Sequence, residues 1–272
     1  MSTPVTAAVV IYNTSCEESA TCQALAAISR RDLSVLIFDN STSDHGVAES
    51  CARRGWTYLG GRGNLGISRA YNACVDHLKS QGRTGYLCLL DDDTRLDETY
   101  FQRLEAAAEI SGSPILVPLI YSADALLSPC LLDENHRVRR FPDAQAALTY
   151  HGDQLSAINS GMAVRLDVFD DYRYDEHIFL DGVDHHFMLD MRKKGIGGSV
   201  FDYRCNHEFS GDSRPSRDSA VNRFRIYARD YAYILRDRKL AFYGLVGKRA
   251  LSLTLGYRSP VFLKILFQTP SR

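Results

Sequence analysis

The chain has 272 residues, 45% hydrophobic and 24% charged, with a formal net charge of −1. This balance excludes a disordered or collagen-like polymer and leaves room for one large α/β domain with a substantial core. The charge is uneven, because residues 214–272 carry 13 Lys or Arg against 3 Asp or Glu, so a basic tail follows an acidic main body.

Residues 7–13 (AAVVIYN) are a continuous apolar run and predict a first buried strand, and the spacing from Cys16 to Ile28 predicts a helix. A second buried strand, LSVLIFDNSTSD, closes in a polar turn, and Val47 to Arg54 follows as a short helix. WTYLG reads as a brief strand, Ile67 to Lys79 as a helix and GYLCLLDDD as another buried strand. Apolar strands alternating with helices call for a parallel sheet covered on both faces. Ligands of such sheets sit beyond the carboxyl ends of the strands. Those ends carry Asn13, Asp39-Asn40-Ser41 and Asp91-Asp92-Asp93.

In the second half, PILVPLIY and LSAINSGMAVRLDVF read as strands of a mixed-sheet extension, separated by a polar loop around Asp133 to Asp143. His185 to Lys194 looks helical and stops at Gly195, a plausible C-cap. GSVFDYRC is a further strand, followed by the polar loop NHEFSGDSRPSRDS. From Asn222 to Leu240, Phe224, Tyr227 and Tyr231 share a helical face while Arg223, Arg225, Arg229, Arg236 and Arg238 lie elsewhere. The expected division is a main α/β domain over 1–213 and a basic helical extension over 214–272. Seven cysteines without C-x-x-C spacing read as free thiols in a reducing compartment and argue against zinc. The start lacks a basic, apolar secretory pattern, and no apolar run approaches the roughly 18 residues of a membrane span.

Gly61-Arg62-Gly63-Asn64-Leu65-Gly66 spells G-x-G-x-x-G between a strand and a helix, as a dinucleotide turn requires. An NAD-dependent oxidoreductase is therefore one reading, although the motif follows the third strand and is succeeded by three adjacent carboxylates rather than one acid. Such a run is best tolerated where a divalent cation or ligand hydroxyls offset its repulsion. Gly63 and Gly66 allow close backbone approach, while Arg62 and Asn64 offer a cation and a donor to phosphate or sugar oxygens. A tight turn serving only the fold is the plainer alternative, and a non-catalytic nucleotide-sugar-binding module a third.

Taken in order, AAVVIYN, FDNSTSD, NLGISRAYN, YLCLLDDDT, NSGMAV and FLDGVDHHFMLDMRKKG resemble the family 2 glycosyltransferases of GT-A fold, in particular rhamnosyl- and galactosyl-type enzymes of bacterial surface polysaccharide synthesis. The resemblance covers about residues 6–211 and implies an inverting transfer from a UDP- or dTDP-linked sugar to a glycan or polyprenyl-linked acceptor. It implies that Asp39 binds the pyrimidine, with Asn13 nearby, and that Asn64, Gly66 and Asn72 line the nucleotide pocket beside Arg62 and Asp92. Asp91 faces the ribose in this scheme, while Asp93 and His207 hold a Mg²⁺ or Mn²⁺ at the diphosphate. Asp184 is the expected base, with Asp181 a partner for acceptor hydroxyls; the plainer role for Asp184 is a helix N-cap. Where the family commonly has a second acid two residues after the base, this chain has His186.

The basic, aromatic tail is either a packing face with solvated arginines or a peripheral dock for the anionic inner leaflet. Its apolar face could equally bury in a homo-oligomer. Nucleic acid is not an expected partner, given the acidic crevice. The expected location is the cytoplasm or the inner face of the plasma membrane.

Overall fold

A computed structural model describes residues 3–30, 32–122, 124–206 and 215–269. In chain order the elements are β1 (Val5–Ile11), α1 (Ala20–Ala27), β2 (Ser34–Asp39), α2 (Val47–Arg54), β3 (Thr57–Gly60), α3 (Ile67–Ser80), β4 (Tyr86–Asp91) and α4 (Glu98–Ser111). Then come β5 (Ile115–Ser122), β6 (Ala125–Ser128), β7 (Cys130–Leu132), β8 (Val138–Arg140), α5 (Ala144–Leu148), β9 (Leu155–Ser156) and β10 (Met162–Arg165). The chain closes with α6 (Val183–Lys193), β11 (Gly198–Asn206), α7 (Arg217–Ile234), α8 (Lys239–Tyr257) and α9 (Val261–Gln268).

The main sheet runs β11-β5-β10-β4-β1-β2-β3, with β6 on β5. Its β1, β2, β3 and β4 are mutually parallel, and β10 enters antiparallel between β4 and β5. The expected mixed sheet is thus present. The loop around Asp133 to Asp143 differs from its expected form: β7, β8 and β9 make a second, three-stranded antiparallel sheet, with α5 beside it. Such two- and three-residue strands are too short to show a period of 2 in sequence.

Strand alternation supplies two cores. In β1, Val5, Ala7, Val9 and Ile11 face the layer of α1, α2 and α4, while Ala8 and Val10 face that of α3 and α6. Burial of each such Val, Leu or Ile contributes about 1.5–3 kcal/mol against the entropy of ordering the chain. Helix ends follow local chemistry. Ser19, Asp97, Asp143 and Ser216 cap α1, α4, α5 and α7 through their side chains. Gly195, with φ 73°, closes α6 as expected. The first turn expected of α1 is an irregular bend instead, where Ser15 and Glu18 exchange local hydrogen bonds. The helix expected over Asn222 to Leu240 breaks after Ile234 into α7 and α8.

Helices α7, α8 and α9 have a core of their own, built on Phe224, Tyr227, Phe242 and Phe262. The expected boundary near residue 213 lies outside the described residues. Helix α7 nevertheless grips the main body. Buried Asp230, ion-paired to Arg229 at 3.1 Å, accepts the backbone N–H of Leu180 at 2.8 Å and of Asp181 at 3.0 Å. Tyr233 donates to Asp175 at 2.8 Å, and its ring stacks on His177. Asp230→Ala strands two backbone donors, so it is expected to lower stability by about 2–4 kcal/mol, read as a drop in melting temperature.

Candidate functional site

Strand register builds one polar edge. Ile11 pairs with Asp39, Asp39 with Gly60, and Val10 with Asp91, so β1, β2, β3 and β4 end together. Chain order reverses between β1 and β4, which makes this edge the switch point where α/β sheets bind ligands.

The loops leaving that edge are tied to one another. Asn13 adopts φ 52°; its N–H donates to Ser41 Oγ at 2.9 Å and its side-chain oxygen accepts from Thr42 N–H at 2.9 Å. Asp39 is buried and accepts from Ser41 N–H at 3.0 Å and from the Tyr58 hydroxyl at 3.3 Å. Asn40 joins the next loop, donating to Asn64 Oδ1 at 3.1 Å and accepting from Leu65 N–H at 2.7 Å. Arg62 is exposed at the mouth of a cleft of about 400 Å³ lined by Phe38, Tyr58, Leu59 and Leu65.

The glycine motif serves a packing role. A Cβ on Gly66 would lie 2.6 Å from the Phe179 ring, and φ there is 84°. Ile67 N–H donates to Phe179 O at 2.7 Å, and Gly66 N–H to Asn64 Oδ1 at 3.0 Å. The start of α3 is thus filled by Phe179 and Asn64 rather than left open to a pyrophosphate, which counts against the dinucleotide reading. Asn72 extends the same clamp: buried, it donates to Tyr174 O at 2.9 Å and accepts Tyr174 N–H at 2.8 Å. Its amide holds segment 174–179 in place instead of facing a nucleotide.

The aspartate run is pinned from α1. Thr21 Oγ lies 2.5 Å from Asp91 O and 2.9 Å from Thr94 O, and Ser19 Oγ donates to Asp92 O at 2.7 Å. Ser160 donates to Asp91 Oδ2 at 2.5 Å from the start of β10. Burial, and then the charges of Asp93 and Asp91, push Asp92 up to about 6, against the hydrogen bond from Tyr12 N–H. Asp93 Oδ1 is buried without a partner. Among the described residues no three His, Cys, Asp or Glu side chains converge into a metal cage. A single orphaned carboxylate oxygen fits a hard divalent ion whose other ligands come from a diphosphate. His207, the second expected ligand, lies outside the described residues.

The acceptor-side candidates sit at the start of α6. Asp184 is in its first turn, and its Oδ1 accepts from His185 N–H at 2.7 Å. Its Oδ2 has no hydrogen-bond partner among the described residues. The Tyr71 hydroxyl is fully buried and is pushed up by burial first, with the charges of Asp91, Tyr174 and Asp184 adding to it and Asn159 opposing. Asp181 departs from its expected role, because Arg223 of α7 engages both its oxygens, with Nη2 to Oδ1 at 2.8 Å. A forked guanidinium pair leaves little capacity for acceptor hydroxyls. His185 Nδ1 pairs with Ser156 Oγ at 2.8 Å, while His186 stacks near His136 at 6.3 Å between ring centroids. Ser160, Asn40 and Tyr71 fall within the motifs NSGMAV, FDNSTSD and NLGISRAYN, and Arg223 on the basic helix, yet nothing in the sequence singles them out within those stretches.

The model of the family described as Glycosyl transferase family 2 matches residues 6–173. No curated protein sequence matches the chain. Among solved structures it is similar to S. aureus TarS 1–349 in complex with UDP-GlcNAc, with a TM-score of 0.52 and 12% identity over 98% of this chain and 81% of that one. A mannosyltransferase, PcManGT from Pyrobaculum calidifontis, in complex with GDP-Man and Mn²⁺, gives 0.53 and 15% over 98% and 75%. GalNAc-T7 with UDP, GalNAc and Mn²⁺ gives 0.57 and 14% over 88% and 51%. At such identities the likeness carries the fold, GT-A.

Burial holds His136 down to about 3 from its ordinary 6.5, aided by His185, His186, Arg238 and Lys193, with Glu134 and Asp153 also facing it. The unfolded chain therefore takes up a proton near pH 6.5 that the folded protein refuses until about pH 3. Stability is retained above that range and lost as pH falls through it. Thermal melts of His136→Gln are expected to fall less than wild type between pH 7 and pH 4.

Proposed function

The chain belongs to glycosyl transferase family 2, and from that premise we propose that it moves one hexosyl or deoxyhexosyl unit from a UDP- or dTDP-linked donor to a hydroxyl of a glycan or lipid-linked saccharide, with inversion. The observation that supports the reading is the pair of separated acids, Asp91 at the end of β4, held by Ser160 at 2.5 Å, and Asp184 in the first turn of α6. Neither a dinucleotide enzyme nor a passive binding module needs both.

In this reading Asp39 receives the imide N–H of the base in place of the Tyr58 hydroxyl, the longer of its two bonds. The side-chain amide nitrogens of Asn13 and Asn64 face ribose or phosphate oxygens, and Arg62, without an ion-pair partner among the described residues, meets phosphate charge. Asp91, oriented by Ser160, accepts from the ribose, and Asp92 completes the acidic edge. Asp93 and His207 would hold Mg²⁺ or Mn²⁺, which when bound stabilises the charge of the leaving diphosphate. Gly66 and Asn72 act through position, fixing the segment that leads to α6. Asp184 Oδ2 removes the acceptor proton as the hydroxyl attacks the anomeric carbon from the face opposite the departing diphosphate. Arg223 holds Asp181, and with it the turn that aims Asp184.

A thermal-shift panel of UDP, dTDP, GDP and NAD with and without Mn²⁺ tests the donor class. Ligand at 100 times its dissociation constant adds about 2.7 kcal/mol of stability. Stabilisation by UDP or dTDP only with metal is expected; stabilisation by NAD alone, indifferent to metal, would overturn the proposal. Asp184→Asn is expected to lose transfer by at least about 100-fold while keeping nucleotide binding, measured as sugar transferred and as thermal shift. Asp93→Ala is expected to weaken that shift specifically with Mn²⁺ present, and an unchanged metal dependence would remove Asp93 as a ligand.

The acceptor is delivered at an anionic lipid surface in this reading. Leu240, Leu251 and Leu255 lie exposed along one face of α8, and Phe267 of α9 is 74% exposed. Lys248, Arg258 and Lys264 of the same two helices and the turn between them are exposed as well. No described helix is long and apolar enough to cross a membrane. Apolar residues together with cations match an anionic headgroup layer, whereas two copies meeting there would oppose like charges. Flotation with phosphatidylglycerol vesicles but not pure phosphatidylcholine is expected, and its loss in Leu251→Asp/Leu255→Asp. A dimer in solution without flotation would assign the face to a second copy.

A further inference from the structure

We propose that the cleft between α6, the β7–β8 turn and the end of α7 is a second saccharide site, holding one neutral hexopyranose unit of a glycan. Its assignment to the acceptor, rather than to an unrelated sugar, rests on the transferase reading above.

The cleft measures about 370 Å³, within the range of small-ligand sites, and His136, His186, Glu134 and Asp153 line it above an apolar patch of Leu189 and Ile234. Two imidazole nitrogens set it apart. His136 is only 4% exposed, and its Nδ1 and that of His186 are both buried without partners. Buried polar atoms are nearly always paired, so two orphans in one cleft mark positions for a ligand's polar groups. The rings lie within 19° of parallel, and Tyr231 meets His136 edge-on at 5.8 Å.

The chemistry selects a neutral, hydroxyl-rich ligand. Both imidazoles are held below their ordinary range by burial and stay uncharged. The cations at the rim are already engaged: Arg238 with Glu134 at 2.6 Å, Lys193 with Asp190 at 2.8 Å and Arg192 with Leu132 O at 3.0 Å. An anion would have to compete with these pairs. A neutral imidazole nitrogen donates or accepts according to tautomer, and a hydroxyl does both, so each nitrogen is matched by one sugar hydroxyl. Asp153, without an ion pair among the described residues, adds an acceptor, and Leu189 and Ile234 suit the C–H face of a pyranose.

Position links the cleft to the reaction. His186 follows Asp184 by two residues on α6, about 200° around the helix, so the two side chains face different sides. The ring bound here is therefore a unit removed from the reacting hydroxyl.

The test uses the full chain and methyl glycosides of glucose, galactose, mannose, rhamnose and N-acetylglucosamine. Binding is followed through the imidazole Cε1–H resonances of His136 and His186, assigned from the single variants. At least one glycoside is expected to shift both resonances with millimolar affinity, and His136→Leu or His186→Leu to weaken it about 10-fold or more. Each variant must keep the wild-type thermal shift with nucleotide and Mn²⁺, which shows that it folds; if one fails to, the other carries the test. No shift with any glycoside, or equal binding to both variants, overturns the site while leaving the transferase reading intact. Glycoside binding without nucleotide binding would keep the site and remove the transferase reading.

Discussion

The common ending of β1, β2, β3 and β4 is the constraint on which the rest of the structure depends. A parallel register puts Ile11, Asp39 and Gly60 on one line with Asp91 one residue short of it beside Val10, and the chain must leave that edge through polar loops whose backbone groups need partners. Asn13, Asn40 and Asn64 supply them, each bridging two loops with a short side chain that also tolerates tight turns. Gly60 belongs to the same solution, since a Cβ there would lie 2.3 Å from the Asp39 carbonyl oxygen. The edge is held rigid by the residues that line it, which suits a site that must place a base, a ribose and a diphosphate together.

A second layer of constraint comes from segment 174–182, clamped on both sides. Helix α3 holds it through Asn72, Ser68 and the backbone of Ile67, and α7 holds it through Asp230, Tyr233 and Arg223. The basic extension therefore does more than follow the catalytic body in sequence. It supplies the counter-charge for Asp181 and packs Tyr231 and Ile234 against Gly182, so the first turn of α6 takes its aim from both parts of the chain. Displacing α7 would leave Asp181 and two backbone donors without partners just before Asp184.

The sequence carried the alternation of strands and helices in the first 95 residues because buried parallel strands are continuous apolar runs, and the polar residues at their ends named the edge. It carried α6 and its Gly195 stop for the same local reasons. Other features depend on partners far along the chain. Asn72 and Gly66 looked like ligand-facing residues, yet their partners are Tyr174 and Phe179, more than 100 residues away, and no local pattern reports such a pairing. Asp181 looked free in DGVD, and only the docking of α7 brings Arg223 to it. The second sheet was hidden because Cys130–Leu132 and Leu155–Ser156 are too short to show a period.

The aspartate run shows why the edge is best understood through what it binds. Asp92 pays a desolvation penalty and sits beside two further carboxylates, which together move it up to about 6. Asp93 keeps one oxygen buried and unpaired. Ser19, Thr21 and Ser160 position the run but bring no positive charge to it. A core that needed only stability would replace such groups with apolar side chains of similar size, since buried charge without a partner costs more than the packing it displaces. Local rules are broken in this way mainly where function requires it. Here the crowded carboxylates of Asp92 and Asp93 lie at the switch point of the sheet. In the proposed function a divalent ion arriving with the diphosphate would offset that repulsion only while the donor is bound.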